Sequence, residues 1–246
     1  IFFFNLLVAT LTVIYCFLLL KLNSSYADLN FNLLVENLQF WYGPVTNNLI
    51  ENQQLVMKQF NIDFYASRSP LIPFYIYFVY KFISTNFFII YILKNIFFTS
   101  IIILILKKIW KKNTQIILFS ILPFIIPYNL INFMNIVPAE GFLIPLFIIF
   151  FLILFSSIKR KSFLLGVTIF FIFFTKSSTF YFCIAFSIIY FFFNIKKNYF
   201  PILFLLIANL AWGSYTYYKT EYFAYGNNLL SIHGHAMNYI TNNKFN

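Results

Sequence analysis

The chain has 246 residues, of which 61% are hydrophobic and 9% are charged, and its formal net charge is +11 at pH 7. This composition argues against a soluble globular protein, because several apolar runs approach the length that crosses a bilayer and too little polar surface is left to cover them. In lipid each helix satisfies its own backbone hydrogen bonds, so we expect an all-α fold, a polytopic transmembrane helical bundle.

Residues 1–20 form the first predicted span. This run has the length of a transmembrane helix and no small-residue cleavage site follows it, which indicates an uncleaved first helix rather than a signal peptide. A polar segment at 21–70 comes next and is the largest part outside the predicted spans. We expect it to contain a short amphipathic helix that lies on the membrane interface.

Residues 71–217 contain the other apolar runs and 218–246 form a polar tail, so we treat 1–246 as a single integral membrane domain. The run at 71–84 is about 21 Å long as a helix, too short for a hydrocarbon core of about 30 Å. We therefore expect a half-inserted or juxtamembrane helix there, with Pro73 near its start. The remaining runs lie at about 88–106, 116–134, 141–158, 163–175, 178–193 and 199–217.

Basic residues are concentrated in short links between the apolar runs. Cytoplasmic loops of membrane proteins carry such an excess, whereas nucleic-acid-binding domains spread their basic residues along a polar face. The pattern predicts that these links lie inside and that the chain binds no nucleic acid. The links contain Lys107, Lys108, Lys111 and Lys112, then Lys159, Arg160 and Lys161, then Lys196 and Lys197.

With the basic links inside, every acidic residue is predicted on the opposite face of the membrane. Chemistry that needs a carboxylate is therefore expected on the outer face, which is periplasmic or otherwise extracytoplasmic, or lumenal in the endoplasmic reticulum of a eukaryote. The acids are Asp28, Glu36, Glu51, Asp63, Glu140 and Glu221.

Two of these acids, Asp28 and Glu140, are candidate catalytic residues. Asp28 is near the start of the predicted interfacial helix, where a carboxylate can cap free N–H groups, and spacing alone favours this capping role over catalysis. Glu140 lies at a sharp turn between two predicted spans, where a charge close to hydrocarbon is costly and often functional. A structural role is equally well supported, in which the Glu140 carboxylate interacts favourably with the dipole at the start of the following helix.

Two cations, Lys176 and Arg68, are candidate ligands for an anion. Lys176 is the only charged residue between 162 and 195 and lies in the turn "FFTKSSTFY". A lone lysine at an interface extends to the headgroups in many membrane proteins, and we weigh that role equally with anion binding. Arg68 precedes a predicted helix start and can form two hydrogen bonds to a phosphate.

Metal and thiol chemistry receive little support from the residues. His233 and His235 are two residues apart, but no further ligand is visible near them, and Cys16 and Cys183 lie in apolar runs without ligand spacing. We therefore assign no metal-binding residue. Sequence motifs of soluble hydrolases, zinc peptidases and nucleotide-binding loops are also absent from the sequence.

Five stretches follow one another in an order that one protein family shares. Asp28 in "YADLNFNLLVENL" comes after the first predicted span, and Arg68 precedes Pro70 in "SRSPLIPFYIYF". A proline-containing span ends in Glu140, in "ILPFIIPYNLINFMNIVPAEGFLIPLF", and "LLGVTIFFIFFTKSSTFYF" places Lys176 in a turn. The stretch "LAWGSYTYY" completes the series.

This order resembles the GT-C superfamily of multi-spanning glycosyltransferases that use polyprenyl-phosphate sugars, which includes protein O-mannosyltransferases and the aminoarabinose transferases that modify lipid A. The similarity covers nearly the whole chain and has two departures. Phe31 replaces a tyrosine often found near the aspartate, and Ala211 stands before Trp212 where the family often has proline. Family members are generally about twice this long, so we expect an N-terminal fragment.

The resemblance implies an inverting transfer of one monosaccharide from a polyprenyl-phosphate donor to a hydroxyl of a protein, lipid or glycan acceptor, with membrane lipids around the enzyme. Asp28 is the implied base. Glu140 is implied to orient the acceptor or to bind a cation, and a divalent metal is then a possible cofactor. Lys176 and Arg68 bind the donor phosphate. Alternatives from other classes are a transporter or flippase, a polymerase or ligase for polyprenyl-linked glycans, and a structural membrane component.

Overall fold

The computed structural model describes residues 42–59, 62–65, 69–85, 87–109, 138–193, 198–221 and 223, together with Phe3, Leu7 and Leu11. In these residues the fold is helical apart from one short hairpin, so the expected all-α class is confirmed at this level. The helices are α1 (Tyr42–Asn52), α2 (Leu71–Phe82), α3 (Phe87–Ile109), α4 (Pro138–Phe155), α5 (Lys161–Thr175), α6 (Phe180–Phe193) and α7 (Phe200–Thr220), and a 3₁₀ turn covers Ser177–Thr179.

A β-hairpin lies inside the polar segment at 21–70 and was not predicted from the sequence. Its strands are β1 (Val56–Gln59) and β2 (Ile62–Tyr65), which pair antiparallel. The register places Lys58 opposite Asp63. Strands of four residues carry too little alternation of apolar and polar positions to be recognised from the sequence.

The chain forms two compact units, and each is built from two separate segments. Unit 1 contains residues 1–43 and 75–161, and unit 2 contains 44–74 and 162–246. In unit 1, α3 packs against α4. In unit 2, α6 packs against α7, and β2 also contacts α7.

Unit 1 has an aromatic cluster where α2, α3 and α4 meet. Tyr75 donates its hydroxyl proton to the carbonyl oxygen of Ile90, at 2.7 Å, which ties α2 to the first turn of α3. The ring of Phe142 lies edge-on to the rings of Tyr75, at 5.2 Å, and Phe98, at 5.7 Å between centroids. Edge-to-face pairs of this kind add to the stabilisation that burial provides.

Unit 2 contains a close approach of α5 to α7 at Gly166. A Cβ atom added to Gly166 would lie 2.7 Å from Cδ2 of Phe204 and 2.9 Å from the carbonyl oxygen of Phe200. The second of these atoms is backbone and cannot move aside without shifting α7. The absence of a side chain at residue 166 is therefore what lets the two helices pack this closely.

In the part of the chain that the structure describes, one helix is long and apolar enough to cross a membrane. It covers Phe200–Lys219, and 33% of this segment is buried. Large apolar side chains elsewhere are exposed, including Phe155 and Phe193, both 81% exposed. This finding supports membrane association. Four shorter apolar helices accompany it, at Leu71–Phe82, Gly141–Phe155, Lys161–Thr175 and Phe180–Phe193.

Candidate functional site

Of the four predicted site residues, the structure describes the backbone of Glu140 and both the backbone and the side chain of Lys176. Glu140 lies in the first turn of α4, in unit 1, as a helix-start residue. Lys176 follows α5 directly, in unit 2, and its side chain is half-buried. Asp28 and Arg68 lie outside the described residues.

Threonine side chains fix the turn that contains Lys176. The backbone N–H of Thr179 donates to the carbonyl oxygen of Lys176 at 3.1 Å, and the Thr179 hydroxyl is shared between that oxygen and the carbonyl of Ile172, at 3.0 Å from the latter. One turn earlier, the Thr175 hydroxyl donates to the carbonyl of Phe171 at 2.7 Å. These bonds satisfy carbonyl groups at the end of an apolar helix, and they hold the backbone of Lys176 in one position.

An apolar cavity of about 350 Å³ lies in unit 2. Its wall is formed by the C-terminal half of α5, the C-terminal half of α7, the start of α2 and the residue before β1. Six of the ten lining residues are aromatic, which suits an apolar ligand. The lining residues are Phe170, Phe171 and Phe174 of α5, Ala211, Trp212 and Tyr215 of α7, and Leu55, Pro70, Leu71 and Phe74.

Ring contacts and one hydrogen bond fix the wall that α7 contributes. The ring of Trp212 lies edge-on to that of Phe174 at 6.3 Å and stacks on that of Tyr215 at 5.5 Å. Tyr215 donates its hydroxyl proton to the carbonyl oxygen of Leu55 at 3.0 Å, which ties α7 to the segment before β1. These contacts fix the positions of Trp212 and Tyr215 in the cavity wall.

The two predicted phosphate-binding cations are close in sequence to this cavity. Lys176 comes two residues after Phe174, and Arg68 comes two residues before Pro70, and both of these neighbours line the cavity. For Lys176 the fixed turn described above keeps the residue at the end of the α5 wall. The sequence motifs group these two cations but do not predict the cavity, because its lining comes from four separated segments.

A buried lysine in α3 was missed by the sequence analysis. Lys94 is only 3% exposed. Its Nζ atom donates to the carbonyl oxygen of Gly141 at 3.0 Å and lies 5.5 Å from the ring centroid of Phe142. A signal was present in the sequence, because "ILKNIFFTS" interrupts an apolar run with polar residues, and an ionisable group in such a run is a functional candidate.

Asn95 and Thr99 add further polar groups to the same helix. They are one turn apart and both are 0% exposed. Among the described residues, neither the Asn95 amide nor the Thr99 hydroxyl has a hydrogen-bond partner. An asparagine offers both a donor and an acceptor, and leaving them unpaired in an apolar interior is costly. The pair therefore suits a small polar group.

In the ranges that the structure describes, no group of three or more histidine, cysteine, aspartate or glutamate residues is close enough to bind a metal ion. His233 and His235, which the sequence analysis considered, lie outside them.

Comparisons of the chain with protein-family models, with curated proteins and with solved structures gave no match. The resemblance to GT-C glycosyltransferases therefore stays a prediction that depends on the order of the sequence motifs.

Proposed function

We propose that the protein is a multi-pass integral membrane glycosyltransferase that transfers a monosaccharide from a polyprenyl-phosphate donor to an acceptor hydroxyl on the extracytoplasmic face. The observation that carries the proposal is the apolar cavity of unit 2 with Lys176 at the end of its α5 wall. A polyprenyl phosphate combines an apolar chain with an anionic group, and an apolar cavity followed by a cation matches both parts.

The cavity and the donor are expected at the same depth in the membrane. In the predicted topology the turn after α5 and the end of α7 both lie on the outer side. Phe174 directly precedes the last residue of α5, and Tyr215 lies in the C-terminal part of α7. The cavity is therefore near the C-terminal ends of both helices, which are predicted on the outer side. A polyprenyl chain is confined to lipid and its phosphate lies at the interface, where Lys176 would be within reach.

In this proposal the chemistry is an inverting displacement at the anomeric carbon. A carboxylate, for which Asp28 is the first candidate and Glu140 the second, accepts the proton of the attacking hydroxyl, and the bond from the anomeric carbon to the phosphate oxygen breaks. A general base in hydrogen-bond reach contributes about 10²–10⁴-fold. Because the leaving group is already a phosphate, it needs its charge stabilised rather than a proton, and Lys176 and Arg68 are suited to that.

A transporter or flippase is the second candidate, and one observation favours it. Lys94, Asn95 and Thr99 are buried polar residues in an apolar helix, and membrane transporters bind their substrates through such groups. The glycosyltransferase proposal ranks first because it accounts for the cavity, for Lys176 at the end of its α5 wall and for the order of the motifs together.

The proposal is tested by substituting Lys176 and measuring transfer of a labelled sugar from polyprenyl-phosphate donors in membranes. We expect Lys176→Met to lower the transfer rate roughly tenfold to a hundredfold, because a cation that stabilises the leaving phosphate is lost. Lys219→Met is the matched control, since Lys219 is exposed in the last turn of α7 and is predicted on the same face. Equal transfer by the two variants would contradict the proposed role of Lys176.

A further inference from the structure

Helix α2 has one face that packs inside unit 1 and one face that is exposed. On the packed face Ile76 and Val79 are buried, and the hydrogen bond from Tyr75 to α3 fixes the rotation of the helix. On the other face Phe78 and Phe82 are 56% and 65% exposed, and their ring centroids are 5.0 Å apart. Two neighbouring phenylalanine rings are poorly accommodated in water, so this face suits the hydrocarbon of a membrane.

The length of α2 places this face near the membrane surface. The helix has 12 residues and is therefore about 18 Å long, whereas the hydrocarbon core of a bilayer is about 30 Å thick. A helix too short to span, with apolar side chains exposed, is suited to the boundary between the headgroups and the acyl chains. Its last turn contains Lys81, so a cation accompanies the aromatic rings at that boundary.

The ammonium group of Lys81 is held beside a hydroxyl group. Its Nζ atom donates to the Tyr77 hydroxyl oxygen at 2.9 Å and lies 5.3 Å from the Tyr77 ring centroid and 6.0 Å from that of Phe82. An ammonium has three N–H donors, and a hydroxyl that accepts one bond can still donate its own proton. These contacts are with neutral groups, and in the described part of the chain no acidic side chain pairs with Lys81.

We propose that the exposed face of α2 binds an anionic membrane phospholipid. Its phosphate accepts hydrogen bonds from the Lys81 ammonium and the Tyr77 hydroxyl, and one of its acyl chains packs along Phe78 and Phe82. The negative phosphate complements a cation whose contacts within the protein are neutral. The lipid is neither donor nor acceptor of a sugar, so this inference goes beyond the proposed function and applies equally to a transporter.

Lipid binding is tested by native mass spectrometry of the full-length protein in detergent, titrated with phosphatidylglycerol or with phosphatidylcholine. We expect Lys81→Met to weaken the binding of phosphatidylglycerol roughly fivefold, because a lysine near a membrane surface contributes about that factor. Binding of phosphatidylcholine should change less than twofold, since its own amine compensates the phosphate. Lys219→Met is the matched control, as Lys219 is an exposed lysine of unit 2. Unchanged binding of phosphatidylglycerol by Lys81→Met, or equal weakening by Lys219→Met, overturns the proposal.

A spin label tests separately whether lipid covers the aromatic face. In a background with Cys16→Ser and Cys183→Ala, the label is attached to Phe78→Cys in bilayers that contain phosphatidylglycerol. We expect it to collide more with oxygen, which enters hydrocarbon, than with a water-soluble nickel complex. A label on Ser178→Cys, in an exposed turn, should show the reverse. Preference of the Phe78→Cys label for nickel, or spin coupling between two copies of the chain, overturns the proposal. Sugar transfer enters neither measurement, so both outcomes are separate from the proposed function.

Discussion

At residue 179 a single hydroxyl group joins the end of α5 to the start of α6. Thr179 is buried, and its Oγ1 atom interacts with the carbonyl oxygens of Ile172 and Lys176. Thr179 has no chemical role in the proposed reaction. Its hydrogen bonds nevertheless position the backbone of Lys176, the cation that we assign to the donor phosphate.

Replacing Thr179 by valine keeps the shape of the side chain and removes the hydroxyl. We expect Thr179→Val to lower the free energy of unfolding by about 1–2 kcal/mol, because buried carbonyl groups lose a donor. Thermal unfolding in detergent measures this change. Ser178→Ala is the control, since Ser178 is exposed in the same turn and its replacement should stay within about 0.5 kcal/mol. Equal effects of the two substitutions would show that the hydroxyl of Thr179 does not hold the turn.

The candidate site was predictable at some residues and not at others. Lys176 was recognisable because it is isolated in a long apolar stretch. Lys94 was overlooked although polar residues interrupt its apolar run, because its burial depends on α4, which is distant in sequence. Trp212 was noted as part of a motif, but its contacts with Phe174 and Tyr215 come from packing that no local pattern contains.

At the scale of elements, the apolar runs were the most informative part of the sequence. Runs predicted at 71–84, 88–106, 163–175, 178–193 and 199–217 coincide with helices α2, α3, α5, α6 and α7 within a few residues. The agreement has a physical cause, because a long apolar run bounded by lysine, asparagine or proline has few alternatives to a helix. Helix α2 begins with Pro73 in its first turn, as expected, since proline fits there without the loss of a hydrogen bond.

The polar segment at 21–70 was the least predictable element. It contains α1 and the β1–β2 hairpin, neither of which was anticipated. Its short apolar clusters fit a helix or a strand equally well, and the contact of β2 with α7 adds stabilisation that the local sequence does not contain. The amphipathic helix predicted near Asp28 lies outside the described residues.

The orientation of the helices is tested by labelling two serine positions. Ser157 lies after α4, at the end of the predicted span 141–158 and beside the basic link at 159–161. Ser178 lies in the predicted outer turn, and both serines are exposed. In a background with Cys16→Ser and Cys183→Ala, we expect a membrane-impermeant maleimide to label Ser178→Cys in intact cells. Ser157→Cys should react only after permeabilisation, because basic links lie inside. The opposite labelling would place Lys176 on the inner face and would remove the outer donor site.

At the scale of the whole molecule, each compact unit contains candidate residues of its own. Unit 2 contains the apolar cavity and Lys176, and unit 1 contains Glu140 and the buried Lys94. Both units are assembled from segments that are far apart in sequence. A sequence pattern therefore predicts which residues are candidates, whereas the cavity depends on long-range packing and emerges only from the folded chain.

The central claim is transfer of sugar from a polyprenyl-phosphate donor with a carboxylate base. It is tested most directly by comparing native protein, Asp28→Asn and Glu51→Gln at matched abundance in membranes, with a labelled donor. Glu51 is an exposed acid of the same polar segment and serves as the control. We predict that native protein and Glu51→Gln consume the donor, while Asp28→Asn is roughly a hundredfold slower or more. Failure of the native protein to consume any donor, or native activity of Asp28→Asn, would contradict the account.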